Sequence, residues 1–304
     1  MNQIKPMTKE EFIQQLIHSY FGKNPTNIES MDGGNINSVL SFEIDQQAYV
    51  LRFSDQNYAF SIFSYISMLL TEHGVLFPKV LKVGKAENLV YCLSEKIQGE
   101  VLANFEPKQQ LALLPSLAGQ LAKMTQIDLS ATTGYGFLKA TGAGIFNSWQ
   151  EFIAYFFGEN HNGTFWENWH GLFETSCLER EVFFKLYERL LKYSKYNAPH
   201  RYVVHGDFHP WNIIANPSEI TGLIDVDNFM YGDFLIDIAT ISHELPPFDW
   251  QGQFEKLGIG IPDFEERLTG ARYFKGLDSL RFYAKMGWVE AYYELRDKLL
   301  ALPE

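Results

Sequence analysis

The chain has 304 residues, 46% of them hydrophobic, and a formal net charge of -12. That length and apolar content allow a sizeable core and two domains, so an ordered globular protein is the starting expectation. The acidic balance excludes a basic nucleic-acid footprint, which needs clustered Lys and Arg, and is compatible with a cationic small-molecule partner. The bias is uneven: residues 1–100 carry 11 acids against 8 bases, and the remainder 26 against 17. No apolar run reaches the roughly eighteen residues of a membrane span. The nearest, "AFSIFSYISMLL" at 59–70, is broken by serines, and "MNQIKPMTKEEF" has no apolar signal core, so a cytoplasmic location is expected. Cys92 and Cys177 stand in no metal-type or CxxC spacing, which reads as buried reduced thiols.

Thr8 and Glu11 have the form of a capping box, and Phe12, Ile13, Leu16, Ile17 and Tyr20 recur at helical spacing until Gly22. Leu40, Phe42 and Ile44 alternate, as do Tyr49, Leu51 and Phe53 after a polar turn, which predicts a hairpin. Residues 57–73 read as a helix ending at Gly74, and two more strands flank "KAEN". After Gly99 the pattern changes to helices, at 107–127, 148–158, 178–194 and 278–300, with strand-like pieces only at "YVVHGD" and "EITGLIDVD". "SATTGYGFLKATGAGIF" reads as a loop. The expectation is an α+β chain of two lobes: a small antiparallel sheet over residues 1–97 and a mainly helical part over 98–304.

Chemistry concentrates in "HGDFHPWNII" at 205–214. His205, Asp207 and Asn212 reproduce the H-x-D-x-x-x-x-N spacing of a kinase catalytic loop, in which a carboxylate orients the attacking hydroxyl and an amide oxygen helps hold Mg2+. A second metal-binding carboxylate is then expected at the end of a following strand, and "EITGLIDVDN" places Asp225 there. Two other readings stay open. His205, Asp207 and His209 have donor atoms suited to a hydrolytic metal centre, though no further histidine cluster joins them. Asp207 and Asn212 are also residues that stabilise tight turns.

If the kinase reading holds, the first lobe binds ATP. "DGGNINS" at 32–38 offers Gly33, Gly34, Asn35 and Ser38 to phosphates, Arg52 on the next strand supplies a cation, and backbone around Glu95 to Ile97 can meet an adenine edge. Each segment is equally an ordinary turn, a solvated arginine or an interdomain crossover. Among the acids after residue 100, Asp227, Glu159, Glu167, Glu244 and Glu290 are candidates for a cationic acceptor, with Asp227 placed first for following Asp225 by two residues. The aromatic run at 148–171 reads either as core or as a sugar-stacking wall.

Together "YVLRFSD", "FPKVLKVGKAENLVYCLSEKIQGEVL", "DLSATTGYGF", "HGDFHPWNII" and "GLIDVDNFMYGD" resemble the aminoglycoside phosphotransferase family, and within it the hygromycin B phosphotransferases. The resemblance implies a protein-kinase-like fold, with Asp207 as the catalytic aspartate, Asn212 and Asp225 as Mg2+ ligands, and Gly33 and Gly34 as nucleotide-loop glycines. It also implies a mainly structural role for Asp233 and Asp237, Asp233 capping the next helix. Two departures stand out: Arg52 occupies the usual lysine position, and the helical glutamate that partners that lysine is missing near Phe63. The expected function is phosphoryl transfer from ATP to an aminoglycoside hydroxyl. Its alternatives are a kinase for another hydroxylated metabolite and a nucleotide-binding pseudokinase.

Overall fold

The computed structural model describes residues 10–31, 38–57 and 59–304, and divides the chain into two compact units. The first unit holds the described residues up to Glu100 together with Ile214–Asn216 and Ile220–Ile224. The second holds Val101–Ile213, Pro217–Glu219 and Asp225–Glu304. The fold is α+β: an antiparallel sheet first, then a mainly helical part.

In the first unit, α1 (Glu10–Phe21) buries Ile13 and Ile17 against Leu40, Phe42, Leu51 and Phe53 of β2 (Ser38–Ile44) and β3 (Gln47–Ser54). Alternation delivers those side chains to one face, as the sequence pattern requires. The turn between the strands has φ of 50° at Asp45 and 69° at Gln46, the left-handed pair whose twist suits a tight hairpin. With β1 (Thr26–Ser30), β4 (Val80–Ala86) and β5 (Leu89–Glu95) they form a sheet in the order β1-β2-β3-β5-β4. Strand β1 was not expected. Its "TNIES" is polar and almost wholly exposed, so only pairing at the sheet edge, with a register shift between Thr26 and Glu29, makes it a strand. The helix expected over 57–73 is shorter, α2 (Phe63–Glu72), because the preceding residues form turns.

The chain continues through β6 (Glu100–Val101), α3 (Pro107–Thr125), β7 (Tyr135–Leu138), β8 (Gly144–Phe146), α4 (Trp149–Phe156), α5 (Leu172–Thr175), α6 (Arg180–Asn197) and β9 (Tyr202–Val204). Then come β10 (Ile213–Ala215), β11 (Ile220–Leu223), β12 (Met230–Gly232), α7 (Leu235–Ile241), α8 (Trp250–Lys256), α9 (Phe264–Met286) and α10 (Val289–Leu300). β6, β10 and β11 form a three-stranded sheet, and β8-β7-β12-β9 a four-stranded one. The segment 130–146 is therefore not a plain loop, since it supplies β7 and β8. The helix expected over 278–300 is two helices. Gly287, at φ 73°, takes the left-handed turn that ends α9, and its N–H bonds the Ala284 carbonyl.

Helix α9 is the centre of the second unit, burying Leu268, Tyr273, Phe274, Leu277 and Leu280. Most of the aromatic run packs there as core: Trp149, Phe152, Phe156, Phe157 and Trp169 are buried, and Phe274 lies 5.0 Å from Phe156 and 5.3 Å from Trp149 between ring centroids, whereas Tyr155 and Phe165 are exposed. Cys92 is buried and Cys177 half-exposed, neither in a disulfide among the described residues, so the expectation of two buried thiols holds only for Cys92. Among the described residues no helix is long and apolar enough to cross a membrane.

Candidate active site

The segment 205–212 joins β9 to β10 and is braced from behind. Asp237, fully buried on α7, accepts the backbone N–H of His205 at 2.8 Å and of Gly206 at 2.9 Å. Burial raises its pKa to about 7, against the two amide donors and nearby Lys275, which favour the carboxylate. Lys275, buried on α9, donates to the Gly206 carbonyl at 3.0 Å. Gly206 itself has φ of 80°, and a Cβ there would stand 2.1 Å from the Asn228 carbonyl oxygen, so only glycine fits. His205 is buried, and its Nδ1 accepts the Asp207 N–H at 3.4 Å.

Asp207 emerges half-buried from this brace. Asn212 Nδ2 donates to its backbone carbonyl at 3.0 Å and its Oδ2 at 3.3 Å, and His209 Nε2 lies 3.5 Å from the same Oδ2. Burial alone would raise Asp207; the His209 hydrogen bond and the Lys275 charge overcome it and hold the carboxyl below its ordinary value. For His209 the balance runs the other way. Burial disfavours the charged ring, but the Asp207 hydrogen bond and the charges of Asp207, Glu244 and Asp225 raise its pKa.

Asp225 follows β11 in the left-handed conformation, φ 65°, a strained choice for a non-glycine residue that a short polar side chain tolerates. Its influence on His209 puts its charge in the same electrostatic neighbourhood as Asp207. The donor chemistry fits a hard cation. Asn212 commits its amide nitrogen to Asp207, which leaves Oδ1 as the oxygen available to a cation, and Asp225 adds a carboxylate. Among the described residues no three His, Cys, Asp or Glu side chains come together as a metal cluster, and buried His205 is engaged with backbone, so the hydrolytic-centre reading is set aside.

The remaining expectations fall as follows. Gly33, Gly34 and Asn35 lie outside the described residues. Ser38 opens β2 opposite Phe53. Arg52 is half-exposed on β3 beside Val50, with buried Leu51 and Phe53 on the opposite face, and pairs in register with Val39 and Cys92. Among the described residues it makes no ion pair. At the end of β5, the Glu95 N–H bonds the Lys79 carbonyl and the Lys96 N–H bonds that of Ala48, both at 3.0 Å. Asp227 is exposed on the loop after Asp225. Asp233 is structural: it holds Arg267 and accepts the Leu235 N–H at the start of α7 at 3.1 Å. Lys275 escaped sequence reasoning altogether, because a lysine inside an amphipathic helical pattern carries no local sign of burial.

This fold and this loop define a phosphotransferase of kinase-like architecture. Residues 27–266 match the phosphotransferase enzyme family, and the chain belongs to it. It is 24% identical over 217 residues to the Hygromycin-B 4-O-kinase of Escherichia coli, a match that covers 71% of this chain and 62% of that kinase. Among solved structures, aminoglycoside phosphotransferase APH(4)-Ia aligns with a TM-score of 0.76 at 22% identity, covering 96% of this chain and 98% of that one. A thermostable mutant of it, in ternary complex with AMP-PNP and hygromycin B, gives 0.75 at 23%, covering 95% and 97%. A putative fructosamine-3-kinase from Haemophilus somnus gives 0.63 at 21%, covering 95% and 96%.

Proposed function

We propose that the protein transfers the γ-phosphoryl group of ATP to a hydroxyl of a cationic, hydroxylated small molecule, with an aminoglycoside of the hygromycin B type as the first acceptor to try. The observation that carries this reading is the half-exposed Asp207 carboxylate, kept ionised and fixed by Asn212 and His209 within the kinase spacing. A carboxylate of lowered pKa is a weak base. Its work is then to orient the hydroxyl rather than to strip it, which suits a loose phosphoryl-transfer transition state in which positioning dominates. Asn212 and Asp225 would hold Mg2+, whose charge neutralises the phosphate oxygens when bound.

In this reading residues 1–97 bind the nucleotide and 98–304 carry catalysis and the acceptor, while the β10–β11 hairpin belongs with the first part. Gly33, Gly34, Asn35, Ser38 and Arg52 serve the phosphates. With the Glu95 and Lys96 amides engaged, the Ile97 N–H is the donor for the adenine edge, beside the Glu95 backbone. Asp227 is the candidate partner for an acceptor ammonium, and Glu244, whose charge already acts on His209, is the second.

The hygromycin-related relatives support the aminoglycoside acceptor. The likeness to a putative fructosamine-3-kinase supports the second reading, another hydroxylated amine or sugar. The test is coupled ADP release with Mg-ATP against hygromycin B, other aminoglycosides, a fructosamine, a macrolide and choline, with Asp207→Asn in parallel. Acceptor-dependent turnover, reduced by about a hundredfold or more in the variant, is expected. Turnover that survives in Asp207→Asn would refute the assignment of that carboxylate, and nucleotide binding with no transfer to any acceptor would point to a pseudokinase, the reading that the missing partner glutamate near Phe63 favours.

A further inference from the structure

Lys275 is 8% exposed, in the interior of α9, a helix that buries two arginines, Arg267 and Arg281, among its apolar and aromatic side chains. A buried ammonium is costly, and an apolar side chain of similar length often fills such a position at no loss of stability. The contacts Lys275 makes are accordingly informative. Its Nζ reaches the Gly206 carbonyl at 3.0 Å and Asp278 Oδ2 at 3.4 Å. Asp278 in turn accepts from Arg281 at 2.9 and 3.2 Å, and Arg281, wholly buried, donates to the Phe156 carbonyl at 2.7 Å and stacks 3.9 Å over the Trp166 ring. Lys275, Asp278 and Arg281 are thus a polar row along α9, anchored by Arg281 in the aromatic core and ending on the peptide that carries Asp207.

Gly206 is held at both of its backbone polar groups by buried charged side chains, its N–H by Asp237 and its C=O by Lys275. Asp237 fixes the entry to the loop. Without the ammonium, the carbonyl side of this left-handed glycine, the residue type with the widest backbone freedom, would be held only by the 3.4 Å bond from the Asp207 N–H of the same peptide to His205. We infer that Lys275 is a positioning residue for phosphoryl transfer: by fixing the Gly206 carbonyl it sets the backbone from which the Asp207 carboxylate meets the acceptor hydroxyl. The inference rests on the proposed role of Asp207. Misplacement of a reacting group by about 1 Å is enough to cost two orders of magnitude in rate.

The experiment compares the full-length wild type with Lys275→Met and Lys275→Arg by two readouts. Hydrogen exchange of a peptide covering residues 203–214 needs no acceptor. It should quicken by about threefold or more in Lys275→Met, while peptides from α6 exchange as in the wild type. Steady-state kinetics should show kcat lowered by about tenfold or more with KM for ATP within about twofold, and Lys275→Arg should recover most of kcat. Unchanged exchange over 203–214, or kcat within about twofold of wild type, would overturn the inference, as would an arginine variant no better than methionine. Should Lys275→Met fail to fold, Lys275→Gln takes its place under the same criteria. If the wild type turns over no acceptor, the exchange result still decides the role of Lys275, and the failure belongs to the proposed reaction.

Discussion

Arg267 and Asp233 meet through two parallel hydrogen bonds, Nε to Oδ2 at 2.9 Å and Nη2 to Oδ1 at 2.8 Å, and neither side chain reaches solvent. Asn197 Nδ2 completes the carboxylate's shell at 2.8 Å. The pair ties α9 to the start of α7, the helix that presents Asp237 to the 205–212 loop. Removing one partner leaves the other charge buried, so Arg267→Met should cost about 3–5 kcal/mol in urea unfolding. Arg267→Met combined with Asp233→Leu should lose clearly less than the two single changes added together, since the two residues share one interaction. Additive losses would show that the contact contributes little.

Gly206→Ala is expected to damage folding and turnover together. The left-handed backbone alone costs a Cβ-bearing residue about 1–2 kcal/mol. The new methyl would also meet the Asn228 carbonyl at 2.1 Å, a contact that backbone must move to relieve. Because the displaced peptide carries both the Asp237 and Lys275 contacts, we expect a drop in Tm together with a loss of turnover of at least about tenfold. An alanine variant with wild-type Tm and rate would contradict this geometry.

The parts of this fold that could be read beforehand are those whose cause is local. The β2–β3 hairpin was legible because alternation and a polar turn are properties of neighbours in sequence. The contact of Asn212 with Asp207 was legible because both residues lie within one short loop. Strand β1 and the short β7, β8 and β12 were not. They carry little apolar pattern of their own and are strands by virtue of their partners: β1 beside β2 and β7 beside β8 close by in sequence, and β12 between the distant β7 and β9. The same holds for Lys275, whose partner Gly206 is 69 residues away. Apolar spacing runs through residues 278–300 without a break, and a single glycine at 287 decides that two helices form. The aromatic run at 148–171 shows the limit from the other side: composition favours core over sugar wall only slightly, and burial then separates core residues such as Trp149 and Phe152 from exposed Tyr155 and Phe165.

His161 predicts an acid-labile second unit. It is buried, with Tyr155 edge-on at 5.2 Å. Burial first, and the Arg281 charge second, lower its pKa below the ordinary histidine value of 6.5. The folded protein therefore holds a neutral ring where the unfolded chain takes up a proton. Stability should be flat in this respect above pH 7 and fall as pH drops through about 6.5, by at most about 1.4 kcal/mol per pH unit for each proton. His170, also lowered chiefly by burial, acts in the same direction. Denaturant unfolding at pH 7.5 and 5.5 should show a smaller difference for His161→Gln than for wild type; an identical difference would exclude His161 as a source.

Asp225 separates backbone from metal chemistry. Its φ of 65° is a conformation that asparagine tolerates nearly as well as aspartate and alanine does not. Asp225→Asn should therefore unfold within about 0.5 kcal/mol of wild type, whereas Asp225→Ala should lose about 1–2 kcal/mol. Their chemistry should agree where their stabilities differ. Each lacks the anionic oxygen proposed to meet Mg2+, so each should lower turnover by about a hundredfold or more. The asparagine variant, which keeps a neutral oxygen donor, should regain part of that activity as Mg2+ is raised, and the alanine variant should not. A full rate in Asp225→Asn at ordinary Mg2+ would remove the residue from the proposed ligand set, while equal stability of the two variants would show that the left-handed turn is not strained.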